Sequence, residues 1–134
     1  MPGTIALKTT IIILFTVTIM SWSNASYIHM KAELAQLLLE VAWQKTLDVG
    51  GNSKPWPWAD TWPIARLSNY KLDDDLLVLA GAHGSSLAFG PGHMDGTILP
   101  GSVGTSVIAG HRDTHFRFLE RLETGDTMLL QNRT

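Results

Sequence analysis

The chain has 134 residues, a formal net charge of −2 at pH 7 and no cysteine, which allows one compact domain at most and excludes disulfides, thiolate metal sites and an internal thiol nucleophile. No Lys/Arg cluster provides the electrostatic footprint of a nucleic-acid surface, so nucleic acid is not an expected partner. Apolar residues make up 45% of the chain and concentrate near its start, leaving roughly eighty residues for a core, near the lower limit of independent stability.

Between Lys8 and Lys31 no residue carries a formal charge, and Ile11 to Trp22 (IIILFTVTIMSW) is the apolar centre of that run. As a helix this length approximates the ~30 Å hydrocarbon thickness of a bilayer. We read residues 1–30 as a membrane anchor with the amino terminus inside. A cleaved signal peptide is the rival, because Thr16, Thr18, Ser21 and Ser23 dilute the apolar run and Ser23 and Ala25 fit a small-x-small cleavage site. Residues 31–53 form a juxtamembrane helix and linker. Within Lys31 to Leu47, Glu33, Gln36, Glu40 and Gln44 make a polar stripe while Leu, Val, Ala and Trp43 cover the remainder. Gly50 and Gly51 end the helix.

The domain proper is placed at residues 54–134. Pro55, Pro57 and Pro63 impose an extended path on KPWPWADTWPIARL. Trp56, Trp58 and Trp62 are expected to cover an edge or the base of the domain, with an interfacial belt at the membrane or a docking strip as the alternative. Trp62 to Leu67 alternates as a first strand, and Leu76 to Ala80 (LLVLA) reads as a buried one. Asp73, Asp74 and Asp75 precede that second strand, but consecutive carboxylates diverge, whereas metal loops alternate them with glycine. Gly81 to Gly101 reads as loop with a helical turn near Ser86 to Phe89; His83 and His93 fall in it without an assigned role. Val107 to Ala109 is a short strand that Gly110 releases into His111, Arg112, Asp113 and His115, so an apolar element presents ionisable groups on a loop. Phe116, Phe118, Leu119 and Leu122 resume the apolar pattern, and Phe116 and Leu119 are expected to hold the loop down. Thr124 to Asp126 signals a turn before a last strand at Thr127 to Gln131.

The residues VIAGHRDTHFRFLERLETGDTMLL, Val107 to Leu130, resemble the sortase family of cysteine transpeptidases. I-A-G-H-R, F-x-x-L and L-x-x-G-D occur in family order, and Leu87 to Val107 looks like the family's glycine- and proline-rich approach to the histidine. With the anchor and the PWPWADTWPIARL segment, the chain is most similar to the class GN sortases of Gram-negative proteobacteria. The resemblance implies a mainly β fold, a sortase-type closed β-barrel (incomplete here) behind the anchor and helix. It also implies a mechanism in which a thiolate attacks a carbonyl of a C-terminal sorting signal, forms a thioester and passes the acyl group to an amine. A histidine transfers the protons and an arginine stabilises the oxyanion. His111 matches the histidine, and an imidazole with an ordinary pKa near 6.5 suits that task.

The expected partners are therefore a sorting-signal-bearing surface protein, an amine acceptor and the membrane, with no cofactor. The expected location is the inner (cytoplasmic) membrane, single-pass, with the domain on the periplasmic side. No cysteine is present, and Arg112, Arg117, Arg121 and Arg133 occupy the wrong motif positions for the oxyanion role. The expectation is a front portion of a sortase, inactive alone. Two other readings are kept: a His/Asp metal-dependent hydrolase, suggested by His111, Asp113 and His115, and a noncatalytic anchored interaction domain, suggested by the tryptophans.

Overall fold

A computed structural model describes residues 2–133; the side chains of residues 1–6 and 23–25 lie outside the description, and with them the small-x-small expectation at Ser23 and Ala25. Two compact units are present, Met1–Leu34 and Ala35–Thr134. The long helix α1 (Pro2–Val49) makes up the described part of the first unit and continues into the second.

In the first unit Ile12, Phe15, Met20 and Trp22 are all exposed, so the helix is apolar around its circumference. Such a helix lacks a polar face to turn to water. Two of the hydroxyls that dilute the run in sequence are satisfied within it, because Thr16 Oγ1 donates to the Ile12 carbonyl at 2.5 Å and Thr18 Oγ1 to that of Leu14 at 2.8 Å. A hydroxyl bonded one turn back does not bring an unmet polar group into an apolar medium. By length and composition the stretch Leu7–Val49 can cross a membrane.

In the second unit α1 buries an arc made of Ala35, Leu39, Ala42, Trp43 and Thr46, at the spacing of one helix face. The polar stripe does not turn wholly to solvent. Gln36 and Glu40 flank the buried arc, and Gln36 Nε2 donates to the Phe89 carbonyl at 2.7 Å. Glu40 accepts from Arg66 on the first strand, and the other end of that guanidinium donates to Asp75 on the second. Burial works against the Arg66 charge, but the bond to Glu40 and the nearby Asp75 outweigh it and raise its pKa above the ordinary arginine value.

Five strands follow: β1 (Pro63–Asn69), β2 (Asp74–Ala80), β3 (Gly92–His93), β4 (Ile108–Ala109) and β5 (Leu129–Asn132). They form one mixed sheet in the order β4-β3-β2-β1-β5, with β1 antiparallel to both β2 and β5 and β2 parallel to β3. A parallel step needs a crossover, and the short helix α2 (Gly84–Leu87) lies in it. Ile64, Ala65 and Val78 form the core cluster, covered by Trp62, Leu67, Ala80 and Ile108.

The barrel, expected to be incomplete here, is not closed. Among the described residues the sheet is open, because β4 pairs only with β3 and β5 only with β1. Closure needs strands of matched tilt and stagger that join the two edges. The loop between β3 and β4 nonetheless reaches β5, since Gly101, at φ +90°, lies so close to the Asn132 side chain that a Cβ would collide with its amide.

Trp43 is fully buried and its Nε1 has no hydrogen-bond partner, so its contribution is packing. Trp43→Ala is expected to cost about 3–5 kcal/mol, whereas Trp43→Phe, which also removes the unmet donor, should cost clearly less. Urea unfolding of the full chain in detergent micelles checks this; equal losses for the two variants would contradict it.

Candidate functional site

The site begins with the shortness of β4. Ile108 and Ala109 pair with His93 and Gly92, and the chain then leaves the sheet at Gly110. A Cβ on Gly110 would lie 2.9 Å from the Phe116 ring, so glycine lets the loop fold flat on that phenylalanine. The loop closes over the carbonyl of His111, which accepts the backbone N–H of Thr114 at 3.3 Å and of Phe116 at 3.0 Å. A 3₁₀ helix (Arg117–Arg121) follows. Its buried anchor is Phe118, 3% exposed, set edge-on to Phe116 at 6.1 Å. Leu119, expected to pin the loop, is instead 49% exposed, because the three-residue turn carries its neighbour Phe118 inward.

His111 is thereby presented to solvent on a loop tied at both ends. Its ring lies 6.2 Å from that of His115, tilted by 37°. His115 is half-buried, and its Nδ1 is sealed with no hydrogen-bond partner. Burial first and the His111 charge second push the His115 pKa below the usual imidazole value. The ring also forms part of the wall of a cavity of about 290 Å³ shared with Gln36, Glu40, Arg66, Asp75 and Phe89; His111 is not in that wall.

Other ionisable groups of the motif are engaged elsewhere. Arg112 Nε donates to Asp113 at 3.0 Å, both exposed. Arg121 pairs with Asp74 at 2.9 Å, and Arg133 donates to the Asn52 side chain. Asp74 and Asp75 turn to different partners, Arg121 and Arg66, as their adjacency implies. Among the described residues no three His, Cys, Asp or Glu side chains gather in metal-ligand geometry, so His111, Asp113 and His115 do not converge. Of the tryptophans, Trp56 stacks edge-on against Phe89 at 5.2 Å, Trp62 covers the core and Trp58 is 82% exposed.

The L-x-x-G-D turn is docked on the β1–β2 turn. Lys71 Nζ donates to Glu123 at 2.9 Å and to Asp126 at 2.8 Å, while Asp126 Oδ2 accepts the Glu123 N–H. Lys71 holds the Asp126 carboxyl below the ordinary range, helped by that N–H, and Asp126 first, then Glu123, raise Lys71. The turn thus fixes the start of β5 relative to β1. Sequence reasoning missed His93: it is 94% buried by its 6% exposure, yet a lone histidine in a glycine-rich loop gives no periodic signal.

The depressed His115 value makes a pH prediction. Below about 6.5 the unfolded chain takes up a proton that the folded chain refuses, so stability falls as pH drops through that value toward the lowered folded one. His115→Phe should flatten this limb of a Tm series between pH 7.5 and 5. An unchanged slope would assign the loss to other groups.

Residues 70–134 match the family described as the sortase domain. Sortase D of Bacillus subtilis (strain 168) is 37% identical over 60 residues, 45% of this chain and 30% of the relative. The chain therefore matches less than a third of that relative's length. A Clostridium perfringens Sortase D5 transpeptidase superposes with a TM-score of 0.60 at 21% identity, covering 76% of this chain and 68% of that one, which establishes the fold alone. Sortase A from Corynebacterium diphtheriae gives 0.50 at 25% identity, covering 74% and 59%. From Tyr70 onward this chain is thus similar in sequence to the sortase domain family, and its mixed sheet is similar to the sortase fold.

Proposed function

We propose that the chain is the front portion of a membrane-anchored sortase-type transpeptidase, in which His111 is the general acid/base. The observation that carries the reading is the exposed His111 at the end of β4, inside the stretch that matches the sortase domain. The sequence has no cysteine, so the nucleophile and the oxyanion-stabilising arginine come from residues outside these 134. Two features support this assignment: among the described residues β4 is an open edge beside His111, and the arginines present are in other positions, four of them paired with side chains of their own.

In this reading the thiolate adds to the carbonyl carbon within a C-terminal sorting signal, and the tetrahedral oxygen takes the negative charge. The C–N bond breaks as His111 in its imidazolium form gives its proton to the departing amine, leaving a thioester. The acceptor amine then attacks the thioester, and the neutral imidazole takes the amine's proton as the thiolate leaves. The substrate is a surface protein bearing the sorting signal. The apolar helix supports an uncleaved anchor with the domain on the periplasmic face of the inner membrane, and the motif set supports class GN. The anchor, helix and domain are assigned to residues 1–30, 31–53 and 54–134.

Sequencing the gene beyond the codon for Thr134 tests this, with all three frames read. A strand ending in cysteine and a later arginine are expected. The chain extended through them should transpeptidate, and His111→Ala should lower kcat/KM by about 10²–10⁴-fold. Unrelated downstream sequence, or an extended enzyme little affected by His111→Ala, would contradict the reading.

A further inference from the structure

Two ladder pairs are a slender hold for a strand that has to fix a reactive group. β4 has only Gly92↔Ala109 and His93↔Ile108, and its other edge has no strand beside it among the described residues. A second set of bonds reinforces it. His93 Nε2 lies 2.9 Å from the Ile98 carbonyl, which can only accept, so that nitrogen carries the hydrogen. The same nitrogen lies 3.0 Å from Thr97 Oγ1. The Thr97 hydroxyl donates to the Met94 carbonyl at 2.8 Å, and its oxygen accepts the backbone N–H of Val107 at 3.3 Å. Val107 in turn accepts from the Met94 N–H at 2.8 Å, and Ile98 N–H donates to Thr105 at 3.1 Å. Through Thr97 these bonds link a buried imidazole on β3 to Val107, the residue that enters β4, four positions before His111.

We propose that His93 is a positioning residue for His111, acting through the Thr97 hydroxyl on Val107. The inference rests on the reading of His111 as the acid/base group. His93 does not touch the site. It fixes the residues around Thr97 so that the hydroxyl oxygen faces the Val107 N–H, and β4 then enters the sheet in the register that brings His111 out at its end. A buried histidine that served packing alone would depend on ring volume. This one depends on a single N–H donor and on a hydroxyl that relays it.

The test uses the full 134-residue chain in detergent micelles, with amide exchange at Val107 and the NMR signals of the His111 ring as readouts. His93→Phe keeps an aromatic ring without the donor, and His93→Gln restores a side-chain N–H at similar reach. Thr97→Val removes the relay, and Thr97→Ser keeps it. His93→Phe and Thr97→Val should each speed Val107 exchange about 2- to 12-fold relative to amides of β1, as loss of one hydrogen bond implies, and both should move the His111 ring signals the same way. The Gln and Ser variants should stay near the parent. The double variant His93→Phe/Thr97→Val should add little to either single change, because both break one chain of bonds. If His93→Phe does not fold, the Thr97 pair decides, since Thr97 is only half-buried. Unmoved His111 signals in Thr97→Val, or fully additive effects, would overturn the proposal. Failure of the acid/base reading has a different signature: an extended enzyme indifferent to His111→Ala while these couplings persist.

Discussion

Arg66 is where the second unit is joined: its guanidinium reaches back to Glu40 on α1 and sideways to Asp75 on β2, from the strand at the centre of the β1 pairings. Arg66 is 19% exposed and its partners are 42% and 52% exposed. The set therefore falls between a surface pair, worth about 0–1 kcal/mol, and a buried one, where removing a partner costs about 3–5 kcal/mol. Packing decides the stability, because Leu39, Ala42 and Trp43 are nearly or wholly without exposure and each large side chain there outweighs a half-exposed ion pair. The charges decide geometry. One planar fork can satisfy two carboxylates only when helix, β1 and β2 hold a single arrangement.

That arrangement is what lets very short strands hold a site. β3 and β4 have two residues each, too few to be stable by pairing alone. They are supported by β2 on one side, by the loop whose Gly101 reaches Asn132 of β5, and by the turn that Lys71 fastens through Asp126. His111 leaves this framework at a glycine and is held by the loop bonds to its own carbonyl, so its ring is exposed while its backbone is constrained. Such a combination suits proton transfer, which needs both access and fixed position.

Much of this was legible in the sequence because local pattern and fold agree. The helix, β1, β2, the strand into His111 and the turn at Gly125 each carry a local signal, and the motif order pointed to the family that residues 70–134 resemble. What was not legible depends on contacts distant in the chain. β3 has no periodicity to show in two residues, and its parallel pairing to β2 is set by a crossover. Gln36 and Glu40 read as a solvent stripe because nothing in the helix announces Phe89 and Arg66 as partners. Phe118 rather than Leu119 is the buried anchor because a 3₁₀ turn rotates successive side chains differently from an α-helix. A ring nitrogen sealed without a partner, as His115 Nδ1 is, leaves no trace in sequence at all.

In the proposed function His111 faces a thiol that these 134 residues do not hold. The most direct measurement is the pH dependence of alkylation of that cysteine in the extended protein, with and without His111→Gln. Two ionisable groups in reach of each other titrate as a coupled pair, so the account predicts that the substitution displaces the alkylation profile along the pH axis. Superimposable profiles would place the thiol away from His111 and contradict it.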